Sequence, residues 1–264
     1  MSVTTFAQGE FHAPTLDDFF PEAVLFDGTI FQLDRLMIIR LVMALVVALV
    51  FVIAFRSPKI VPRGLQNVGE VGLEFVRKNI AEEILGKEQG KRFLPLVATV
   101  FFAILAMNLT SIIPFLNISA NARIGMPLVL ALVAYITYWY VGIRKFGFFG
   151  YIKSSIVLPD VPLPIHFLLV PIEFFQIALL RPFTLTIRLM ANMLSGHIML
   201  VLFFSATQFF LFTSGGVMSV FGVGSLLVGI AFTFFELLVI FLQAYIFALL
   251  LCVYIDSSLH ADAH

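Results

Sequence analysis

Apolar residues run almost unbroken through five stretches of the chain, at 36–55, 94–116, 127–143, 165–212 and 217–255. A hydrocarbon core about 30 Å thick takes about 20 helical residues to cross, so the first three stretches predict simple spanning helices. The last two are longer than that. A helix of even about 35 residues reaches roughly 50 Å, more than an upright crossing needs. No charged loop divides either stretch, and the polar break Thr213-Ser214-Gly215-Gly216 lies between them. The pattern therefore predicts a hairpin of two long, steeply tilted helices rather than four further spans, with Pro171 and Pro182 placed to bend the first. The predicted fold is an all-α polytopic membrane protein, 1–264 forming a single membrane domain with five crossings.

A different periodicity occupies 65–85. Leu65, Val68, Gly72, Phe75 and Val76 recur at helical spacing, with Glu70, Glu74, Arg77 and Lys78 opposite them. Such a stripe predicts an amphipathic helix lying at the membrane interface. Charge then sets orientation. Arg56, Lys59, Arg63, Arg77, Lys78, Lys87, Lys91 and Arg92 lie between the first two spans, and Arg144, Lys145 and Lys153 follow the third. The 117–126 loop carries only Arg123, and residues 1–35 are acidic (Glu10, Asp17, Asp18, Glu22, Asp27, Asp34). Basic loops stay inside, so the N-terminal segment is expected outside the cell and the C-terminus in the cytoplasm. The acidic start has no basic region of the kind that opens a signal peptide, so 36–55 is read as a retained first helix.

Composition agrees with the pattern and removes other classes. Of 264 residues, 61% are hydrophobic and 12% charged, outside the range of a soluble domain. Net charge is zero, so no basic field argues for nucleic acid. Cys252 is the lone cysteine, which rules out an internal disulfide or a cysteine-based metal cluster and leaves packing as its role. There is no HExxH, no phosphate-binding loop ending in Gly-Lys-Ser/Thr, no GxSxG and no CxxC, so neither covalent chemistry nor a cofactor is expected. The sequons at Asn108 and Asn117 are too short to carry weight.

What remains is polar chemistry inside the long hairpin. Arg188 sits deep in apolar sequence, where a central charge costs about 3 kcal/mol on insertion scales. Arginines so placed face a partner or a water path. Arg181, seven residues earlier, is nearer the polar end and better placed to snorkel. Asn192 and Ser195 follow Arg188 at steps of four and three and share its face, while His197 points to the opposite side. On the second arm Glu236 and Gln243 are seven apart and form another stripe, with Tyr245 near it. Asn192, Ser195 and Gln243 also have a plain reading as hydrogen-bond links between helices, and His197 with Glu236 as a structural pair. Titratable groups facing each other within a membrane more often handle protons. Asn108, Thr110 and Ser111 end the second span and are candidates for a vestibule.

These residues carry a resemblance. The run RPFTLTIRLMANMLSGHIML, followed by FELLVIFLQAYIFALLLCVYI, is similar to subunit a of F-type ATP synthases, with support from VPRGLQNVGEVGLEFV and LAMNLTSIIP. The similarity spans nearly the whole chain beyond the first 35 residues. It implies that Arg188 is the family's essential arginine and that Asn192 and Gln243 are its polar neighbours at the interface with the c ring. It implies that His197 and Glu236 are a pair that some bacterial members carry exchanged. From the residue pattern, Ser195 and Asn108 join them as candidates for the outer half-channel. Glu173 departs from the family pattern, preceding Pro182 by one residue more than usual.

The implied function is that of a membrane stator in a bacterial plasma membrane, not catalytic itself. It would conduct protons through two offset half-channels past a c-subunit ring, in company with peripheral-stalk b subunits and the rest of the complex. Arginine suits the site because it stays protonated and so cannot pass a proton from one half-channel to the other. The rival class is a stand-alone proton-coupled transporter, which would carry an inverted repeat and usually more spans; no repeat is present.

Overall fold

The computed structural model describes residues 23–25, 33–56, 59–113, 119–156, 163–214 and 216–261. Most of the acidic N-terminal segment therefore lies outside the described residues, apart from two short strands, Ala23–Leu25 and Leu33–Asp34, paired antiparallel. The helices are α1 (Arg35–Phe55), α2 (Leu65–Val76), α3 (Glu82–Leu109), α4 (Gly125–Phe146), α5 (Phe148–Ile156), α6 (Leu163–Phe175), α7 (Arg181–Gln208) and α8 (Ser219–Leu259). π-helical turns join α2 to α3 and α6 to α7 without a break, and another extends α7 to Ser214. Five of the resulting helices are long and apolar enough to cross a membrane. The protein is an all-α, multi-pass membrane protein, as the hydropathy pattern predicts.

Local chemistry explains the boundaries that matter. The helical run that starts at Leu65 turns at Gly86, whose φ of +73° places it in the left-handed region that a side chain resists. The bend falls one residue past the amphipathic stretch expected over 65–85, and the helix beyond it ends at Leu109. There the Thr110 hydroxyl donates to the Met107 carbonyl at 2.6 Å and Ser111 to that of Asn108 at 2.9 Å, competing with the helical ladder. In the first arm of the hairpin, Pro171 sits inside α6 without ending it. Ahead of Pro182, the missing backbone donor and the crowding of its ring are met by the wider turn Gln176–Leu180 rather than by a break.

The core lies among α3, α4, α7 and α8, around Phe101, Ile104, Tyr138, Leu189, Phe247 and Leu251. Ala131 and Ala134 on α4 and Ala244 and Ala248 on α8 are fully buried, and small residues let membrane helices approach closely where no hydrophobic effect draws them together. Cys252 packs in this core as a free thiol. By contrast α1 buries only Leu36, Ile39 and Ala54, leaving most of its apolar surface outward.

Polar contacts fasten both ends. At one end Asp34 pairs with Arg123 at 2.6 Å, and Arg40 Nε donates to the Ala120 carbonyl at 2.8 Å. At the other, the buried Tyr151 and Ser258 hydroxyls lie 2.9 Å apart, and Lys145 donates to the Leu259 carbonyl. The first set marks the Asp34 end of the bundle and the second the Lys145 end.

Candidate functional site

α8 meets the first arm along a stripe of period seven: Gly222, Gly229, Glu236 and Gln243 are all buried. A repeat of about 3.5 residues per turn keeps one seam of a helix against its neighbour. Partners along the seam run antiparallel. Gly222 abuts Leu211, Gly229 abuts Phe203 and Phe204, and Glu236 abuts Gly196. Ser225 adds a hydrogen bond from its hydroxyl to the Phe203 carbonyl at 2.8 Å.

Gly196 decides the position of the carboxylate. A Cβ built there would collide with the carboxyl carbon and both oxygens of Glu236. Only glycine lets the Glu236 head lie directly on the α7 backbone, one residue from His197. Glu236 is 1% exposed and His197 8%, so both are buried. Glu236 Oε1 has no hydrogen-bond partner among the described residues. A buried carboxyl oxygen without a partner is costly, and such groups are retained where a proton or water must reach them. Gln243, two turns along the stripe, is likewise buried.

The opposite face of α7 looks outward. Phe183, Thr184, Ile187, Arg188, Ala191 and Ser195 form one exposed helical stripe, with Asn192 half-buried beside it. Arg188 forms no ion pair among the described residues. Ser195 donates to the Asn192 carbonyl at 3.2 Å, a local helix contact. Sequence spacing thus groups Arg188, Asn192 and Ser195 correctly on one face and His197 on the other. Ser195 lies with the arginine, on the face opposite His197.

The contrast with Arg181 isolates Arg188. The Arg181 guanidinium stacks 5.0 Å from the Tyr254 ring centroid and 5.9 Å from that of Tyr138. Tyr138 in turn donates to the Ile177 carbonyl at 2.7 Å, inside the wide turn before Pro182. Arg181 is held by the chain's own aromatic faces, an arrangement that favours a desolvated guanidinium. Arg188, one stripe-repeat deeper, offers its charge to whatever covers that face.

Asn108 belongs to a third group, at the Asp34 end. Asn121 Nδ2 donates to Asn108 Oδ1 at 2.7 Å, and both residues are wholly buried. The Ala120 N–H donates to the Thr110 hydroxyl at 3.1 Å. Asn108 Nδ2 and Asn121 Oδ1 have no hydrogen-bond partner among the described residues, leaving an amide donor group beside a carbonyl acceptor, the complement a water molecule satisfies. Glu173 is half-buried on α6.

Two participants escape the sequence reading. Gly196 carries no chemistry, and Asn121 lies in a short loop. The seven-residue recurrence of Gly222, Gly229, Glu236 and Gln243 is a legible signal of the seam, and Gly196 follows from it once the arms are set antiparallel.

Residues 36–256 match the family described as ATP synthase A chain. A protein of Rhodococcus erythropolis named ATP synthase subunit a is 69% identical over 264 residues, covering 100% of this chain and 96% of that relative. Proteins of the same name from Frankia alni and Streptomyces lividans are 41% and 38% identical, over 84% and 88% of this chain and 75% and 81% of their own.

Proposed function

The chain belongs to the ATP synthase subunit a family, and from that membership we propose that it is the proton-conducting stator of a rotary ATP synthase in a bacterial plasma membrane, with the exposed stripe of α7 facing a ring of c subunits. The observation that carries this reading is the division between the two arginines. Arg181 is satisfied within the chain, whereas Arg188 presents a charge on an exposed face that holds no acidic partner among the described residues, an arrangement that is favourable in a membrane only against an anionic partner or water. A ring of helices each bearing one carboxylate supplies that partner.

The mechanism follows from electrostatics. An unbroken water path would discharge the gradient, so entry and exit are offset. Protons enter from the Asp34 end, outside the cell, past Asn108 and the His197–Glu236 pair to a ring carboxylate, with Gln243 at the inner side of the seam. Neutralised, that carboxylate turns through lipid without bearing a bare charge. At the end of its circuit Arg188 favours the ionised form, because a nearby opposite charge stabilises it, and the proton leaves toward the Lys145 end and the cytoplasm. Asn192 and Ser195 border the guanidinium on the ring side. The two arms are longer than an upright crossing requires, and a steep tilt lets them follow the curved flank of a ring. The chain performs no catalysis itself; it couples proton flow to rotation, and partner subunits of the complex, including the peripheral-stalk b subunits, hold it still.

Purification in mild detergent through a tag on this chain tests the reading. A stator brings down a c ring and a peripheral stalk in fixed ratio. Recovery of the chain alone, or as a homo-oligomer that transports in liposomes, would assign it to the transporter class instead.

A further inference from the structure

A cavity of about 340 Å³ opens at the Lys145 end, where α3, α4 and the end of α8 meet. Gln89 and Arg92 line it from α3, Tyr140, Arg144 and Lys145 from α4, and His260 from beyond α8. Three permanent cations therefore converge with no carboxylate in the lining. Arg144 Nη1 donates to the Tyr140 hydroxyl at 3.0 Å, Lys145 donates to the Leu259 carbonyl, and Asp256 is engaged 3.1 Å from His260. None of the three cations forms an ion pair among the described residues. Like charges gathered this way repel, and an anion in the cavity offsets the repulsion.

Two further features say what kind of anion. Gln89 Oε1 is buried without a hydrogen-bond partner among the described residues, an acceptor that a ligand hydroxyl would satisfy. And Tyr140, which lines the cavity, is the last member of an exposed apolar stripe on α4, Val129, Val133, Ile136 and Tyr140, with Ile136 64% exposed. Next to the rim, α5 exposes Phe148 and Phe149, the latter to 85%. Aromatic residues beside clustered cations mark the headgroup level of a bilayer, and basic clefts between helices on that side suit anionic headgroups.

We propose that Arg92, Arg144 and Lys145 form a binding site for an anionic phospholipid of the cytoplasmic leaflet. Its phosphate lies among the three cations, a headgroup hydroxyl on Gln89, and one acyl chain along Ile136 and Val133. A free phosphate shares the polar chemistry but has nothing to place on the apolar stripe.

The test is native mass spectrometry of the intact complex released from nanodiscs holding equal phosphatidylglycerol and phosphatidylcholine, wild type against R92Q/R144Q/K145Q. The wild type retains phosphatidylglycerol preferentially. The triple variant loses that preference by about one to two orders of magnitude, on the scale of three surface cations. Lys153→Gln, an exposed cation on α5 outside the cavity, leaves the preference intact. Should the triple variant fail to assemble, Arg144→Gln shows a smaller loss in the same direction and Arg144→Lys none. Unchanged retention in the triple variant overturns the proposal. So does displacement of the lipid by millimolar inorganic phosphate, which would make this a soluble-phosphate site. Loss of a protein subunit in place of the lipid would make it a protein contact.

Discussion

Inverted membrane vesicles carrying Arg188→Ala are expected to hold a fully assembled complex that no longer acidifies on addition of ATP. Two parts of the structure lead there. Arg188 lies on the exposed face of α7 and forms no ion pair among the described residues, so truncating it opens no buried cavity and breaks no salt bridge among them. Changes at such positions usually alter stability by less than about 0.5 kcal/mol, and assembly survives. The lost function is the whole coupling step, because no other residue of the exposed stripe from Phe183 to Ser195 carries a charge. Acidification falls to the background of vesicles without ATP, and synthesis driven by a gradient stops with it. Arg188→Lys keeps a cation but neither the planar fork nor the guarantee of staying protonated, and it recovers only a small fraction of the rate. Arg181→Ala gives the opposite pattern. Its cation is stacked between Tyr138 and Tyr254, so that variant loses yield and thermal stability before it loses the ability to pump.

The second large effect is expected at Glu236 and its seat. Glu236→Gln keeps the shape of the side chain and removes its proton chemistry, and positioned proton-transfer groups are worth about a hundredfold or more in rate. Pumping in that variant falls by about that factor with assembly unchanged. Gly196→Val fails for another reason. Its new side chain occupies the space of the Glu236 carboxylate, and overpacking of this kind costs about 1–3 kcal/mol, so both assembly and flux fall. Combining Gly196→Val with Glu236→Ala separates the causes: assembly returns because the volume is restored, while flux does not because the carboxylate is gone. Flux returning with assembly would show that Glu236 fills space and carries no proton.

Much of this was legible in the residues, and the reasons differ from place to place. The five crossings follow from run length alone, since lipid leaves a spanning backbone little choice but helix. The split of α7 into an Arg188 face and a His197 face follows from 100° per residue. Gly196 was invisible because its contribution is the absence of a side chain, which acquires meaning only when Glu236 is brought across from a residue 40 positions later. Asn121 was missed because it sits in a loop, where asparagine is ordinary; its pairing with Asn108 depends on how α3 and α4 meet. Position along the helix marks Arg181 as the better placed of the two arginines to snorkel, and it gives no hint of the aromatic rings from α4 and α8 that hold it. Each of these is a contact between distant segments, which periodicity along one segment cannot express.

The central claim is that the Arg188 stripe faces the c ring, and disulfide trapping tests it most directly. The chain's lone cysteine, Cys252, is buried, so a Cys252→Ser background allows single cysteines to be placed at will. Cysteines at Ala191 and Ser195, on the exposed stripe, and at Leu189 and Met193, on the buried one, are each paired with a cysteine one helical turn from the ring's carboxylate. The account predicts rapid cross-links to the ring from positions 191 and 195 and none from 189 and 193. Cross-links from the buried pair, or none from the exposed pair in a complex that still pumps, would contradict it.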